Sequence, residues 1–550
     1  MGKIVGKSSI AMNLYAPGMG LMHRAGLGGL ASTLKAIERD FHDKSITQKS
    51  LPAPFVDSQP PWKITSDSIE LFFPSPEKAG GYLERLFALA FRIRKDGLIY
   101  LRGQFFEEPP SPVLADMQLG LTLTFLQHGL VRKLEKELTE VSYDPESSGA
   151  PGVTVSYKKC SGFKHQNCWQ ELIGKNGCLK PGFFSVEGPI SPGNVVRHVA
   201  FTSDTVIKET VEKILPLYFA IVGCLPLPVN RGVAALLVPE VEDLIQFSES
   251  RPVMTPLTVT QCQVANAADA ILQAQLRLKT RRIFKKASLP GCYAMTLRPT
   301  PWASQQKSRV ASIHVTSTSE SVLERFEIAL AKLPPKIVQK AEKIKSKGKG
   351  KLKGVVERVQ SFRLDSVVRP LVAENLALGK RWYQGFTALM TKNNPSNDKP
   401  FRDQLVFEKG GLHSMIADKK MWEVESEQLV VQAIHEAIRQ TLGRIREETD
   451  GKSSKGLSQA TKNRWDKFRN KLRLGLAGAK TGSQIRFVLV DLFSRGGSNS
   501  ILRKDWIKIL PVIQSDWQLV RDLGLLALAS YSGKGEDDST ATITNETKGL

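Results

Sequence analysis

The sequence predicts an α+β protein, with a large mixed α/β N-terminal domain followed by a C-terminal α-helical bundle. Two patterns carry that prediction. Through the first half, short apolar runs alternate with Pro- and Gly-rich breaks, the mark of strands and short helices in a mixed domain. After about Leu412, apolar residues recur at helical spacing with few breaks. The expected organisation is residues 1–330 for the mixed domain, 331–411 for a basic loop and linker, 412–533 for the bundle and 534–550 for a polar, disordered tail.

Taken in order, "NLYAPGMGLMHRAGLGGLAST" (13–33) begins with a Pro-Gly turn and continues as a helix rich in glycine. Ala25, Gly26 and Gly29 form a small face with Leu27, Leu30 and Leu34 beside it. Each glycine costs a helix up to about 1 kcal/mol relative to alanine, so close packing must offset the loss. "SIELFF" and "GLIYLRGQFF" read as strands, and "SPVLADMQLGLTLTFLQHGLVRKLEKEL" reads as one helix. "FFSVEGPISPGNVVRHVAF" reads as strand, turn and strand. "TVIKETVEKILPLYFAIVGC" begins as an amphipathic helix, and "GVAALLVPEV" reads as a buried strand. "VANAADAILQAQLRLKT" is helical by apolar spacing. In the bundle, "SEQLVVQAIHEAIRQTLGRIREE", "SQATKNRWDKFRNKLRLGL", "GSQIRFVLVDLFSRGG" and the segments around Trp506 and Trp517 give four or five helices.

Charge narrows the partner. The 550 residues carry 77 Lys and Arg against 54 Asp and Glu, a net of +23. Between Ile271 and Gln360 there are 20 basic and five acidic residues. A surface that follows a phosphate backbone concentrates charge in this way, because each neutralised phosphate releases condensed counterion. "LRLKTRRIFKK" carries Arg277, Lys279, Arg281, Arg282, Lys285 and Lys286 around Ile283 and Phe284. The segment 331–354 follows, with Lys347, Lys349 and Lys351 among eight lysines between Lys336 and Lys353. Its glycine spacing argues against a stable helix and for a mobile loop. From Lys452 to Arg486 there are ten basic residues and one acid, Asp466. There Arg464, Lys467 and Lys471 share one side of a helix that turns Trp465, Phe468 and Leu472 to the core. Such a row suits a single strand held by its backbone.

Catalytic motifs are scarce. "GKIVGKSS" has three residues where a phosphate-binding loop needs four, and no strand precedes it. The chain has no HExxH and no GxSxG. Cys160, His165, Cys168 and Cys178 lie within 19 residues, but without the close pairing of structural zinc ligands. A metal-dependent nucleic-acid enzyme using this Cys160 to Cys178 loop is the rival reading. No metal and no cofactor are expected. Six cysteines without a framework spacing point to a reducing, cytoplasmic compartment, and no apolar run is long enough for a membrane span. Two Arg/His pairs follow turns: His23 with Arg24, and Arg197 with His198. Each pair either fixes its loop or contacts nucleic acid.

The blocks "LYAPGMGLMHRAGLGGLASTL" and "PGNVVRHVAF", with the basic helical C-terminus, resemble the large subunit of Cascade, the type I CRISPR surveillance complex. The resemblance is to the cyanobacterial and myxobacterial branch of the Cas-eight family, allied to subtypes I-A and I-B, and covers most of the chain. It implies a non-enzymatic component that reads the protospacer-adjacent motif in duplex DNA and supports the unwound strands. The implied partners are guide crRNA, target double-stranded DNA and the backbone, guide-end-capping and small subunits. A helicase-nuclease or a transposition adaptor would then act downstream. The C-terminal bundle is similar to the small subunit, which some relatives start internally; Met415 and Met421 stand just ahead of it. Sequence recognition by base pairing requires basic surface and a few base-reading side chains. Asn230 and Arg231, in the turn-like "LPVNRG", are the expected readers, because both types make bidentate contacts to base edges and Gly232 permits close approach.

Overall fold

The opening block folds as helix Leu21–His42, and its glycines lie where two helix backbones meet. A Cβ on Gly26 would stand 1.9 Å from the Pro216 carbonyl oxygen, and one on Gly29 2.3 Å from that of Phe219. From the other side, a Cβ on Gly223 would lie 1.8 Å from the Ala25 carbonyl. The partner is helix Val211–Gly223, so the expected small face is real and glycine is sterically required on it. Gly28 faces a different neighbour, Phe247 of helix Leu244–Met254. Leu27, Leu30 and Leu34 are fully buried beside the small face.

The computed structural model describes residues 8–54, 59–143, 153–187, 206–229, 232–280, 291–300, 307–316, 318–345, 355–394, 398–451 and 456–532. The chain divides into two compact units, 1–318 with 337–364, and 319–336 with 365–550. Among the described residues, no helix is long and apolar enough to cross a membrane.

The N-terminal unit is mixed α/β. Ser9–Asn13, Ser68–Phe72 and Trp62–Ile64 form an antiparallel sheet with Ser68–Phe72 central. A four-stranded antiparallel sheet follows in the order Leu225–Val229, Val233–Pro239, Cys292–Thr300 and Lys307–Val315. The near-continuous apolar run Ala234–Val238 is fully buried there, as expected for a central strand. Phe184–Glu187 pairs with Val206–Glu209, whereas the strand expected in "NVVRHVAF" lies outside the described residues. A buried arginine joins two helices of this unit. Arg251 Nε donates to the carbonyls of Val222 (2.8 Å) and Gly223 (3.0 Å), and Nη2 donates to that of Cys224 (2.7 Å). Its cation therefore sits on the orphan carbonyls that end helix Val211–Gly223, where the helix dipole favours it.

Two sequence expectations need correction. The helix begun at Ser111 ends at Leu123, and Arg132–Tyr143 is a strand paired with Val153–Phe163. Long-range pairing overrides the local helix preference of "VRKLEKEL". The lysine-rich loop is likewise corrected at its flanks. Helix Glu320–Lys332 runs up to it, and Lys336–Lys345 pairs with Val355–Leu364 as a two-stranded sheet. Residues 346–354 are outside the described set, so no loop of the expected length remains.

The helical unit is organised around Glu425–Asp450, whose buried face carries Val430, Ile434, Ala437, Ile438 and Leu442. Gln459–Gly478, Gly482–Gly496, Ser500–Gln514 and Trp517–Ser530 pack on it. Glu436 projects from the long helix and caps the helix Ser500–Gln514: its carboxylate accepts the backbone N–H of Ser500 (3.1 Å) and Ile501 (3.2 Å) and the Ser500 hydroxyl (2.9 Å). Burial raises the Glu436 pKa, but these hydrogen bonds outweigh it and hold the carboxyl below its ordinary range.

The unit also includes residues ahead of the expected start at 412. Buried Asp522, on the last helix, accepts the backbone N–H of Gly385 (2.7 Å) and Thr387 (2.9 Å) and the Thr387 hydroxyl (2.6 Å). Met415 and Met421 are both fully buried. A chain begun at either would leave Asp522 without these donors, a costly exposure of a buried acceptor.

Candidate nucleic-acid interface

The basic helix Gln459–Gly478 starts where Ser458 caps it, its hydroxyl accepting the Thr461 N–H at 3.1 Å. One face is committed to packing. Thr461, Leu472 and Leu476 are buried, and Trp465 is half-buried with its indole N–H donating to the Leu442 carbonyl at 3.0 Å. Arg464, Lys467 and Lys471 are all exposed, as the helical spacing predicts. Arg464 is tethered to the neighbouring helix, 3.3 Å from the Glu448 carboxylate and 3.2 Å from the Thr449 hydroxyl. An exposed pair of this kind contributes little to stability and leaves the guanidinium accessible. Lys467 and Lys471 have no ionic partner among the described residues. One helical turn separates them, about 6 Å along the axis.

The stripe beginning at Arg277 is less uniform than its sequence suggests. Arg277 is committed to structure, with Nε and Nη2 donating to the Met254 carbonyl at 2.9 and 2.7 Å, where it caps the end of helix Leu244–Met254. Burial lowers its pKa. Lys279 lies half-buried in the last turn of helix Ala267–Thr280. Arg281, Arg282, Lys285, Lys286, Lys347, Lys349, Lys351, Arg197, His198, Asn230 and Arg231 lie outside the described residues. Asn230 and Arg231 fall between the strands Leu225–Val229 and Val233–Pro239, followed by Gly232 at φ +85°.

His23 and Arg24 occupy the first turn of helix Leu21–His42. The Arg24 guanidinium lies 5.5 Å from the centre of the Tyr15 ring, a cation–π contact, and the Tyr15 hydroxyl donates to the Glu242 carbonyl at 2.9 Å. His23 is half-buried near Glu209 and Lys213, which pair at 3.1 Å. Burial lowers the His23 pKa, Glu209 opposes the shift and Lys213 reinforces it. These contacts fix the helix entrance.

The Cys160 to Cys178 segment brings no metal site together among the described residues. Among the described residues no three His, Cys, Asp or Glu side chains converge to hold an ion. The thiols instead point at carbonyls, Cys160 at Gly162 (3.4 Å) and Cys168 at Lys164 (3.3 Å), and burial raises the pKa of both. Thiols of this kind are poor nucleophiles and poor ligands. His165 is fully buried among Phe91, Phe125 and Phe163, at ring distances of 5.8, 6.5 and 6.1 Å. Neither of its ring nitrogens has a hydrogen-bond partner among the described residues.

The buried histidines set a pH dependence. Burial pulls His165 down to about 3, reinforced by Lys164. In the helical unit, burial and neighbouring His413 bring His435 to about 4 against a weaker pull from the Ala527 carbonyl. Below pH 6.5 the unfolded chain protonates these groups while the folded chain does not. Stability is therefore lost as pH falls from 6.5 towards about 4 for His435 and about 3 for His165, and is unaffected by these groups above 6.5. The full loss is of order 3–5 kcal/mol per histidine. Urea titrations of the wild type at pH 7 and pH 4.5 should differ clearly, and His165→Leu should shrink the difference for the N-terminal unit.

Similarity to known proteins first defines the class. The DevT N-terminal domain matches residues 11–218, which include the opening glycine helix, and the DevT C-terminal domain matches residues 418–549, which include the bundle. The chain is also 34% identical, over an alignment of 560 positions, to the CRISPR-associated protein Cas8a1/Csx13 of Myxococcus xanthus (strain DK1622). That alignment covers 98% of this chain and 91% of the relative. The chain belongs to this Cas8 family, the large subunits of type I CRISPR systems.

Proposed function

We propose that the protein recognises the protospacer-adjacent motif in duplex DNA and stabilises the unwound strands as a non-catalytic part of a crRNA-guided Cascade complex. The observation that carries this reading is the exposed row Arg464, Lys467 and Lys471 on a helix whose adjoining face is buried. A surface of this kind binds a phosphate backbone without reading its sequence, the role left to the protein when base pairing supplies specificity. In this reading the bundle holds a single strand along the row. The stripe Lys279, Arg281, Arg282, Lys285 and Lys286 and the lysines 347, 349 and 351 add phosphate contacts, and Asn230 and Arg231 read the motif. Other Cascade subunits and crRNA are the assembly partners, and a helicase-nuclease or a transposition adaptor acts on the recognised target.

Reconstitution with and without crRNA tests the proposal. Target binding in the assembled complex should be tight only with matching guide, and charge reversal at Lys279, Arg281, Arg282, Lys285 and Lys286 should weaken it on all targets alike. Arg231→Ala should instead reduce discrimination between motif and non-motif DNA by about 1–3 kcal/mol. Unchanged discrimination would remove Arg231 from the motif reader, and target binding that needs no guide would overturn the proposal.

A further inference from the structure

The cationic row runs into an apolar groove. On helix Gln459–Gly478 the spacing 467, 471, 475, 478 places Lys467, Lys471, Gly475 and Gly478 along one face. The two glycines form the floor of a groove of about 630 Å³ between this helix and Gly482–Gly496. That floor is low. A Cβ on Gly478 would meet nothing within 4 Å, and one on Gly475 would meet only the Val488 methyls, at 3.3 and 3.5 Å. Phe487 walls the groove with 77% of its surface exposed, and Leu474 is 60% exposed on the opposite side. Among the described residues, no charged one lines it. Exposed Arg486 stands next to Phe487, so cations flank an uncharged, ring-walled slot.

We propose that Phe487 is a base-stacking platform, on which a nucleobase of a single strand packs while Lys467 and Lys471 hold the adjoining backbone. Charge complementarity selects this occupant. An apolar protein segment would fill the groove and leave Lys467, Lys471 and Arg486 without counter-charge; a nucleic-acid strand supplies phosphates for the cations and a π-face for the ring in one ligand. Stacking is tolerant of sequence, because every base has such a face. The inference rests on the reading that the bundle holds a single strand, and assigns the ring that orders the bases.

The test uses the full chain with two fluorescent probes, a thymidine oligonucleotide and an abasic strand of the same length, read by anisotropy. Phe487→Ala should weaken binding of the thymidine strand roughly five- to 150-fold and leave the abasic strand unchanged. Phe487→Trp should retain binding to both. Lys467→Glu with Lys471→Glu should weaken both probes. Phe487 is exposed, so its variants should melt like the wild type. If the lysine variant weakens binding and Phe487→Ala does not, or weakens both probes equally, the platform is overturned and the strand reading survives. If the lysine variant changes neither probe, the strand reading itself fails. If Phe487→Ala separates the chain from its Cascade partners in gel filtration with oligonucleotide binding intact, the groove is a protein-docking surface and the proposal is wrong.

Discussion

Alanine at Gly29 or Gly26 is expected to destabilise the N-terminal unit by about 3 kcal/mol or more, the upper end of overpacking effects. The usual helix-propensity argument predicts the opposite sign, since alanine favours a helix by up to about 1 kcal/mol over glycine. Here sterics decide. The added carbon would fall 2.3 Å from the Phe219 carbonyl oxygen at Gly29 and 1.9 Å from that of Pro216 at Gly26, and backbone cannot rotate aside as a side-chain tip can. The two helices must separate, which uncovers their shared core. Gly81, in helix Ala79–Ala90, is the matched control, because nothing lies within 4 Å of the Cβ position there. Gly81→Ala should be neutral or slightly stabilising. Calorimetry of the three variants, with hydrogen exchange at the amides of Leu21–His42, reads both signs in one experiment.

Arg251→Met is the second large effect, about 3–5 kcal/mol, typical of removing one partner from a buried charged network. The guanidinium satisfies three successive carbonyls, those of Val222, Gly223 and Cys224, and bonds the Thr255 hydroxyl through Nη1. Methionine fills much of the volume and none of the hydrogen bonds. Lysine is not a conservative replacement, because one ammonium cannot reproduce a planar fork that reaches three oxygens. Calorimetry of Arg251→Lys should therefore show a loss nearer to that of methionine than to the wild type. Gly223 belongs to the same helix end, so Gly223→Ala combined with Arg251→Met should cost less than the sum of the two.

How far the sequence discloses this molecule depends on how local each interaction is. The small face of the opening helix and a bundle of four or five helices follow from spacing alone, since a helix declares its buried side every three to four residues. Arg132–Tyr143 reads as helix in the sequence because its partner, Val153–Phe163, lies outside the local window and leaves no local signal. The flanks of the lysine-rich segment pair for the same reason. Arg277 counts as surface charge in any composition window, yet its role is set by the Met254 carbonyl 23 residues away. Arg251, in "SESRPVM", gives no sign of its three carbonyls.

The exposure of Phe487 is legible in the spacing around it. Ile485, Leu489 and Leu492 mark the buried face of helix Gly482–Gly496 at spacings of four and three, which leaves Phe487 and Val490 on the outside. An aromatic off the apolar stripe and beside a basic run was the available signal. The Cys160 to Cys178 cluster shows the converse. Proximity in sequence suggested ligands, and the fold turned the thiols to separate carbonyls and the imidazole into a phenylalanine cluster.

The salt dependence of strand binding reads out whether the row Arg464, Lys467 and Lys471 grips a single strand by its phosphates. Each phosphate contact held by a cation contributes about 0.7 to the slope of log affinity against log salt for single strands. Replacing all three residues with alanine in the full chain should therefore flatten that slope by about 2 and weaken binding of every strand sequence alike. A slope and an affinity equal to those of the wild type would mean that the row holds no phosphate.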